Sequence, residues 1–312
     1  MSGHEHATLT MRAAAASVTL AVFLVLLKAG AAWATGSVAM LGSLADTGLD
    51  LVASVATFYG VRVAATPADW DHRFGHGKAE ALVALFQVGL IALSALLILG
   101  QAVMRLSGGA GTAHAPAGIA VSLVAIVATL GLLAYQKRVI ARTGSPAIAA
   151  DHVHYQSDLL LNLAVIAALA ADQYLGLTGA DPLFGIAIAL WLARGAWKAS
   201  ARAVDQLMDR EWPEEKRARL VSVAGSHPEL KGLHDLRTRT SGSRDFVQFH
   251  VWMDPGMSVA AAHRILEQVE DRVRHEFPGT EVLIHVDPIG QVDEPGNTLA
   301  ETDLSAGQGD KT

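Results

Sequence analysis

The sequence predicts an α-helical membrane protein of six transmembrane helices followed by a small cytoplasmic α/β domain with a ferredoxin-like order of elements. Three observations predict it. First, the 312 residues are 51% hydrophobic and only 17% charged, with a mean hydropathy of +0.33, which is apolar for a water-soluble chain. Second, the apolar residues fill positions 11–206, whereas charge and most of the prolines crowd into 210–312. Third, Lys and Arg collect on alternate links between the apolar runs. The net charge of −6 averages these unlike halves and decides little. Cysteine is absent, which excludes a disulfide framework and any thiolate site. No cleavable signal stands out, because the first apolar run is too long and more spans follow. The expected divisions are a flexible N-terminus 1–10, a membrane domain 11–208, a cytoplasmic domain 209–291 and a disordered tail 292–312.

A bilayer-crossing helix needs about 20 apolar residues. Six segments qualify: 12–34, 38–62, 79–105, 117–140, 147–174 and 182–205. The link 107–116 (SGGAGTAHAP) is flexible and holds no Lys or Arg. Arg62, Arg73 and Lys78 flank the link between helices 2 and 3. Lys137, Arg138 and Arg142 flank the one between helices 4 and 5. Lys198, Arg202 and Arg210 follow helix 6. Such residues mark the cytoplasmic side, so both termini and the soluble domain are expected there. Lys28, late in helix 1, is expected to reach the outer interface, and Arg194 to snorkel at the inner one. Glycines 36, 42, 48, 60, 89 and 185 are expected to serve close helix packing.

Helix 2 carries SLADTGLDLVAS, with Asp46 and Asp50 four residues apart. At about 1.5 Å per residue, Asp46 lies roughly 12 Å and Asp50 roughly 18 Å from the outer surface. Helix 5 carries VHYQSDLL, with His154 and Asp158 also four apart and running the other way. In a core about 30 Å thick, Asp50 then levels with His154 and Asp46 with Asp158. Each pair shares a helical face. Ionisable groups in hydrocarbon are costly and usually functional. Three carboxylates together repel unless a proton or a cation neutralises them. Four N/O ligands suit tetrahedral Zn²⁺, and the imidazole turns preference away from Mg²⁺ and Ca²⁺.

The link between helices 2 and 3, PADWDHRFGHGKAEA, places Asp69, His72 and His76 as a metal clip, with Asp71 as a competing carboxylate. The soluble half begins with an amphipathic helix after Pro213. LHDLRTRTSG and FVQFHVWMD form a hairpin around SGSRD, a helix covers about 258–277, and the strand TEVLIHVDP comes last. This α-β-β-α-β order fits a small sheet with helices on one face. His234 and His250 on neighbouring strands, His263 on the second helix, and His285 with Asp287 on the last strand can line one surface and hold one or two Zn²⁺. His227 and His275 read as ordinary surface residues. His4 and His6 fall in the flexible terminus and His114 in the outer link.

LADTGLD, PADWDHRFGHGKAEAL, ADHVHYQSD, LHDLRTRTSG and IHVDP together resemble the cation diffusion facilitator family. The likeness is closest to its bacterial inner-membrane zinc and ferrous-iron efflux exporters, and it spans about 10–290. It implies a metallochaperone-like cytoplasmic domain and a homodimer in the bacterial inner membrane. It implies Asp46, Asp50, His154 and Asp158 as the transport site, and Asp69, rather than Asp71, with His72 and His76 as a loop site. It implies His234, His250, His263, His285 and Asp287 as a cytoplasmic binuclear site, and Lys78 with Asp209 as a charge interlock. Cytoplasmic metal is then exchanged for external protons by alternating access. The link QKRVIARTGSPA lacks the long His-rich loop of eukaryotic members, so no zinc scavenging is expected there.

The residues support that mechanism without the family. Carboxylates and imidazole must lose protons to bind metal, so protons and Zn²⁺ compete for the same lone pairs, and His154 is the member that titrates near neutral pH. The coupling ion is the proton. No G-x-x-x-x-G-K-[ST] occurs, so no nucleotide is expected, nor any nucleic acid. An intramembrane aspartyl protease is disfavoured because Asp46 and Asp50 share one helix and a G-x-G-D motif is missing. The chain is not expected to be an enzyme. A passive metal channel or a metal-sensing receptor is the alternative.

Overall fold

The computed structural model describes residues 3–35, 38–108, 116–175 and 180–305. Two compact units emerge, one of His6–Val204 and one holding the residues from Asp205 onward. The first is built from α1 (Gly3–Thr35), α2 (Val38–Ala64), α3 (Ala79–Gly108), α4 (Pro116–Thr143), α5 (Pro146–Leu175) and α6 (Ala180–Leu207). Pro116 and Pro146 open α4 and α5, where a missing N–H costs nothing. Gly144, at a φ of +63°, turns the chain between them.

Among the described residues, Glu5–Ala34, Ala79–Met104 and Val121–Thr143 are long and apolar enough to cross a membrane. The sequence expects six such spans. All six helices form, with bounds close to the expected spans. The expected flexible arm 1–10 is also corrected: α1 begins at Gly3, because Thr10 is fully buried and Leu9 packs on the core of Ala13, Val61 and Ile148.

Helix α5 is central and packs against α2, α3 and α4, while α3 also meets α2. Ile91 and Ala95 of α3 pack with Ile188, Leu192 and Ala196 of α6. Two glycines set close approaches. A Cβ on Gly60 would stand 2.7 Å from Val83 of α3, and one on Gly185 would stand 3.1 Å from Ala102. Gly48 and Gly89 meet nothing within 4 Å, so the packing role expected of them is not theirs. Gly36 and His114 lie outside the described residues, as do the surroundings of Gly42.

The second unit holds α7 (Glu214–Ala224), β1 (Leu233–Ser241), β2 (Arg244–Met253), α8 (Val259–Glu276), β3 (Thr280–Pro288) and α9 (Thr298–Glu301). The sheet order is β1-β2-β3, antiparallel between the first pair and parallel between the second. Gly242, at a φ of +59°, supplies the left-handed residue of the β1–β2 turn. The Ser258 hydroxyl accepts from the Ala261 N–H and caps α8. Leu220, Leu233, Phe249, Val251, Met253, Val269 and Val273 form the core between the sheet and α7 and α8.

The disordered tail expected from residue 292 is corrected through Ser305. Ala300 is 3% exposed, the Leu304 N–H donates to the Leu233 carbonyl at 2.8 Å, and the Leu233 N–H donates to the Asp303 carboxylate at 3.3 Å. The segment covers β1 with few apolar side chains, and these two bonds tie it to Leu233. Residues 306–312 lie outside the described residues.

Candidate metal centres

Three ligand clusters form among the described residues. In the first, His154 of α5 faces α2, and its Nε2 stands 3.2 Å from Asp50 Oδ1 and 3.9 Å from Asp158 Oδ2. Their ligand atoms lie within 4.8 Å of one another, close enough for one ion. The i, i+4 spacing on α5 and the antiparallel contact with α2 produce this meeting. Asp46 is exposed and does not join the cluster. Lys28 turns to α2. Its Nζ bonds Thr47 Oγ1 at 2.6 Å and the Ser43 carbonyl at 3.4 Å, within a turn of both helix-2 acids.

Behind the cluster lies a polar network that the sequence analysis missed. Asp151 is fully buried and accepts from Ser17 Oγ (2.6 Å), Gln136 Nε2 (2.7 Å) and Gln87 Nε2 (3.1 Å). Gln87 also bonds Thr57 Oγ1 and the Ala53 carbonyl of α2. Tyr155 donates to the Ser17 carbonyl at 3.1 Å and meets Ser54 Oγ at 2.8 Å. Five helices thus share one hydrogen-bonded hub. His152 turns away from the ligands to Gln136 Oε1, at 3.2 Å.

The second cluster is the loop set Asp69, His72 and His76. Asp69 Oδ1 accepts the backbone N–H of His72 at 2.6 Å and of Asp71 at 3.0 Å, an Asx turn that fixes the carboxylate. The His72 N–H holds its pKa below the ordinary carboxylate value, with both imidazoles assisting. His72 Nδ1 and His76 Nε2 stand 3.3 and 3.4 Å from it. Gly75, at a φ of +81°, folds His76 back beside His72. Asp71 is not part of the cluster.

The third cluster lies on the sheet. His234, His250 and His285 are direct cross-strand partners, one on each strand. Asp287 closes the row: its Oδ2 is 3.1 Å from His234 Nε2 and 2.9 Å from His250 Nδ1, and its Oδ1 is 3.4 Å from His285 Nε2. Asp293, which the sequence analysis assigned to a tail, completes the set with its Oδ2 3.7 Å from His285 Nε2. His250, His285, Asp287 and Asp293 have ligand atoms within 4.8 Å of one another. Two imidazoles and two carboxylates are a donor set that fits Zn²⁺. His234 is 1% exposed and stacks on Trp252 at 4.1 Å, and burial lowers its pKa. His263 stands apart from the cluster. It is 3.5 Å from Glu267, though it lines a groove with Asp287. His227 is buried and bonded to Gln268 rather than being a surface residue. Lys78 belongs to the helical unit and Asp209 to the other, where Arg239 stands 3.5 Å from it.

Residues 14–208 match the family described as cation efflux transmembrane domain, and residues 212–289 match the cation efflux protein cytoplasmic domain. The chain is 42% identical over 290 residues to the cation-efflux pump FieF of Serratia proteamaculans, covering 93% of this chain and 96% of that one. It is 44% identical over 277 residues to FieF of Shewanella oneidensis, covering 89% and 93%. The metal-bound C-terminal domain of the CzcD transporter from Thermotoga maritima is 26% identical, covering 26% of this chain and 99% of that one, with a TM-score of 0.25.

Proposed function

The chain belongs to the cation efflux family, as a membrane transporter of metal ions and not an enzyme, and from that premise we propose that it exports Zn²⁺ from cytoplasm to periplasm in exchange for protons. Cd²⁺ and Fe²⁺ are further substrates of the same ligands. The observation that carries the reading is the meeting of Asp50 and Asp158 on His154 between two helices of membrane-spanning length. An imidazole with carboxylates suits borderline cations and binds only when deprotonated. Facing the cytoplasm, the site takes metal. Facing a more acidic periplasm, it takes protons and releases metal. Asp46, one turn away on the same side of α2, is assigned as the fourth ligand of the loaded state.

In this reading the protein works as a homodimer in the bacterial inner membrane, both termini cytoplasmic, by alternating access. The match of residues 212–289 to the family's cytoplasmic domain supports the dimer. His234, His250, His285 and Asp287, with Asp293 beside them and His263 across the groove, hold Zn²⁺ that favours the folded dimer. Asp69, His72 and His76 hold a further ion in the loop. Lys78 and Asp209 form the charge pair at the dimer axis.

The test is zinc uptake into inverted proteoliposomes with and without a pH gradient, for wild type and Asp50→Ala. Uphill zinc movement driven by protons and lost in the variant is expected. Flux that ignores the gradient would mean a channel, and zinc binding without flux would mean a sensor.

A further inference from the structure

Asp151 is a buried carboxylate that metal binding does not use. We propose that it is a second proton site of the transporter, distinct from the metal ligands and emptied when the metal arrives. The inference rests on the proton-exchange reading above.

Asp151, Ser17, Gln87 and Gln136 are all 0% exposed. Three neutral donors from α1, α3 and α4 surround the carboxylate, and each points a hydrogen at it. Neutral donors lessen the cost of a buried charge without cancelling it. A metal needs acceptors, and the amide nitrogens that fill this shell offer none. A proton is therefore the ion the site is built to take.

The hydrogen bonds around Asp151 accommodate a proton. Ser17 Oγ lies 2.6 Å from Asp151 Oδ2 and 3.2 Å from the Ala13 carbonyl, so its hydroxyl proton has two acceptors. With Asp151 ionised, the hydroxyl donates to the carboxylate. With Asp151 protonated, the acid donates to Ser17 Oγ and the hydroxyl swings to Ala13. Ser17 Oγ keeps a lone pair for Gln136 Nε2, at 3.0 Å, in both states. The proton enters or leaves with one hydroxyl rotation and no movement of heavy atoms.

Asp151 and His154 are three apart on α5, hence on one side of the helix. His154 is the charged group that acts on Asp151 from its own helix, with Tyr155 beside it and Asp50 of α2 beyond. The neighbouring helices α1, α3 and α4 present neutral Ser17, Gln87 and Gln136 to it. A dication that takes the place of the one proton on His154 leaves the cluster one positive charge higher, and so raises the positive potential at Asp151. The Asp151 proton leaves to water, and it returns when the metal departs. Metal and proton then exclude each other across one helical turn without sharing a ligand.

The experiment counts protons released per zinc bound by the full-length protein in weakly buffered detergent. It compares wild type, Asp151→Asn and Asp50→Ala, with zinc affinity measured alongside. Asn at this position mimics the protonated acid. Asp151→Asn is expected to bind zinc and release about one proton fewer. Undiminished release would overturn the proposal. If wild type shows no Asp50-dependent zinc binding, the transport reading fails and takes this inference with it. If Asp151→Asn fails to fold, infrared difference spectra on zinc addition decide. Zinc should remove a protonated-carboxyl C=O band, part of which shifts in Ser17→Ala. A band unchanged by Ser17→Ala would overturn the proposal.

Discussion

Ser54 Oγ and Tyr155 Oη stand 2.8 Å apart, tying α2 to α5 one turn from Asp50 and one residue from His154. Both are buried, and Tyr155 also donates to the Ser17 carbonyl of α1. The phenol thus fixes the distance between the helices that supply Asp50, His154 and Asp158. Tyr155→Phe removes both bonds and leaves the ring. Each lost bond costs about 1 kcal/mol, with a further penalty for a stranded partner. A lower melting temperature and weaker zinc binding are expected, read by thermal unfolding in detergent and by calorimetry.

His154→Asp turns the cluster with Asp50 and Asp158 into an all-oxygen set. Oxygen ligands favour harder cations. The ratio of Mn²⁺ to Zn²⁺ affinity should rise by about tenfold or more, measured by competition binding. An unchanged ratio would show that His154 does not contact the ion.

Gly60→Ala places a methyl 2.7 Å from Val83. Overpacking of this kind costs about 1–3 kcal/mol. Gly60→Ala/Val83→Ala should recover most of the loss. Gly48→Ala and Gly89→Ala, with open space around them, should be neutral or slightly stabilising. Melting temperatures of the four variants provide the comparison.

The burial of His234 gives the metal-free protein a pH dependence. Its pKa in the fold lies below the ordinary 6.5, so the unfolded chain binds the proton more readily. The stability it contributes is present above that value and is lost as pH falls from it towards the lower folded value. The slope is at most about 1.4 kcal/mol per pH unit. His234→Gln should flatten that part of the profile, measured by thermal unfolding of the metal-free full-length chain across mildly acidic pH.

The helices were legible in the sequence because length and apolarity alone define them, and the ends of α2 through α6 fall within a few residues of the expected spans. Asp50, His154 and Asp158 were legible because i, i+4 pairs on antiparallel helices have few ways to meet. The Asp151 hub was not. Its members come from five helices, and single Ser, Thr or Gln residues in an apolar run have no periodic signature. Asp293 was hidden because a polar segment after the last strand reads as tail, while this one is tied to β1 by a backbone bond and an Asp303 carboxylate bond at Leu233, which composition does not reveal. His263 lines a groove with Asp287 but pairs with Glu267, because a helix residue's reach towards a sheet depends on how the helix lies, which spacing alone does not give. The bond of Lys28 to Thr47 was not legible, because depth along one helix does not name the partner on the next.

The row of His234, His250 and His285 bears on the order of folding. The first two meet across a two-residue hairpin turn, a local event. His285 arrives only when β3 docks parallel to β2 after the α8 crossover, a non-local step that is intrinsically slower. The full ligand set therefore exists only on the native side of that step. Zn²⁺ held there, as proposed, would act as a brake on unfolding, with little influence on how fast the sheet assembles.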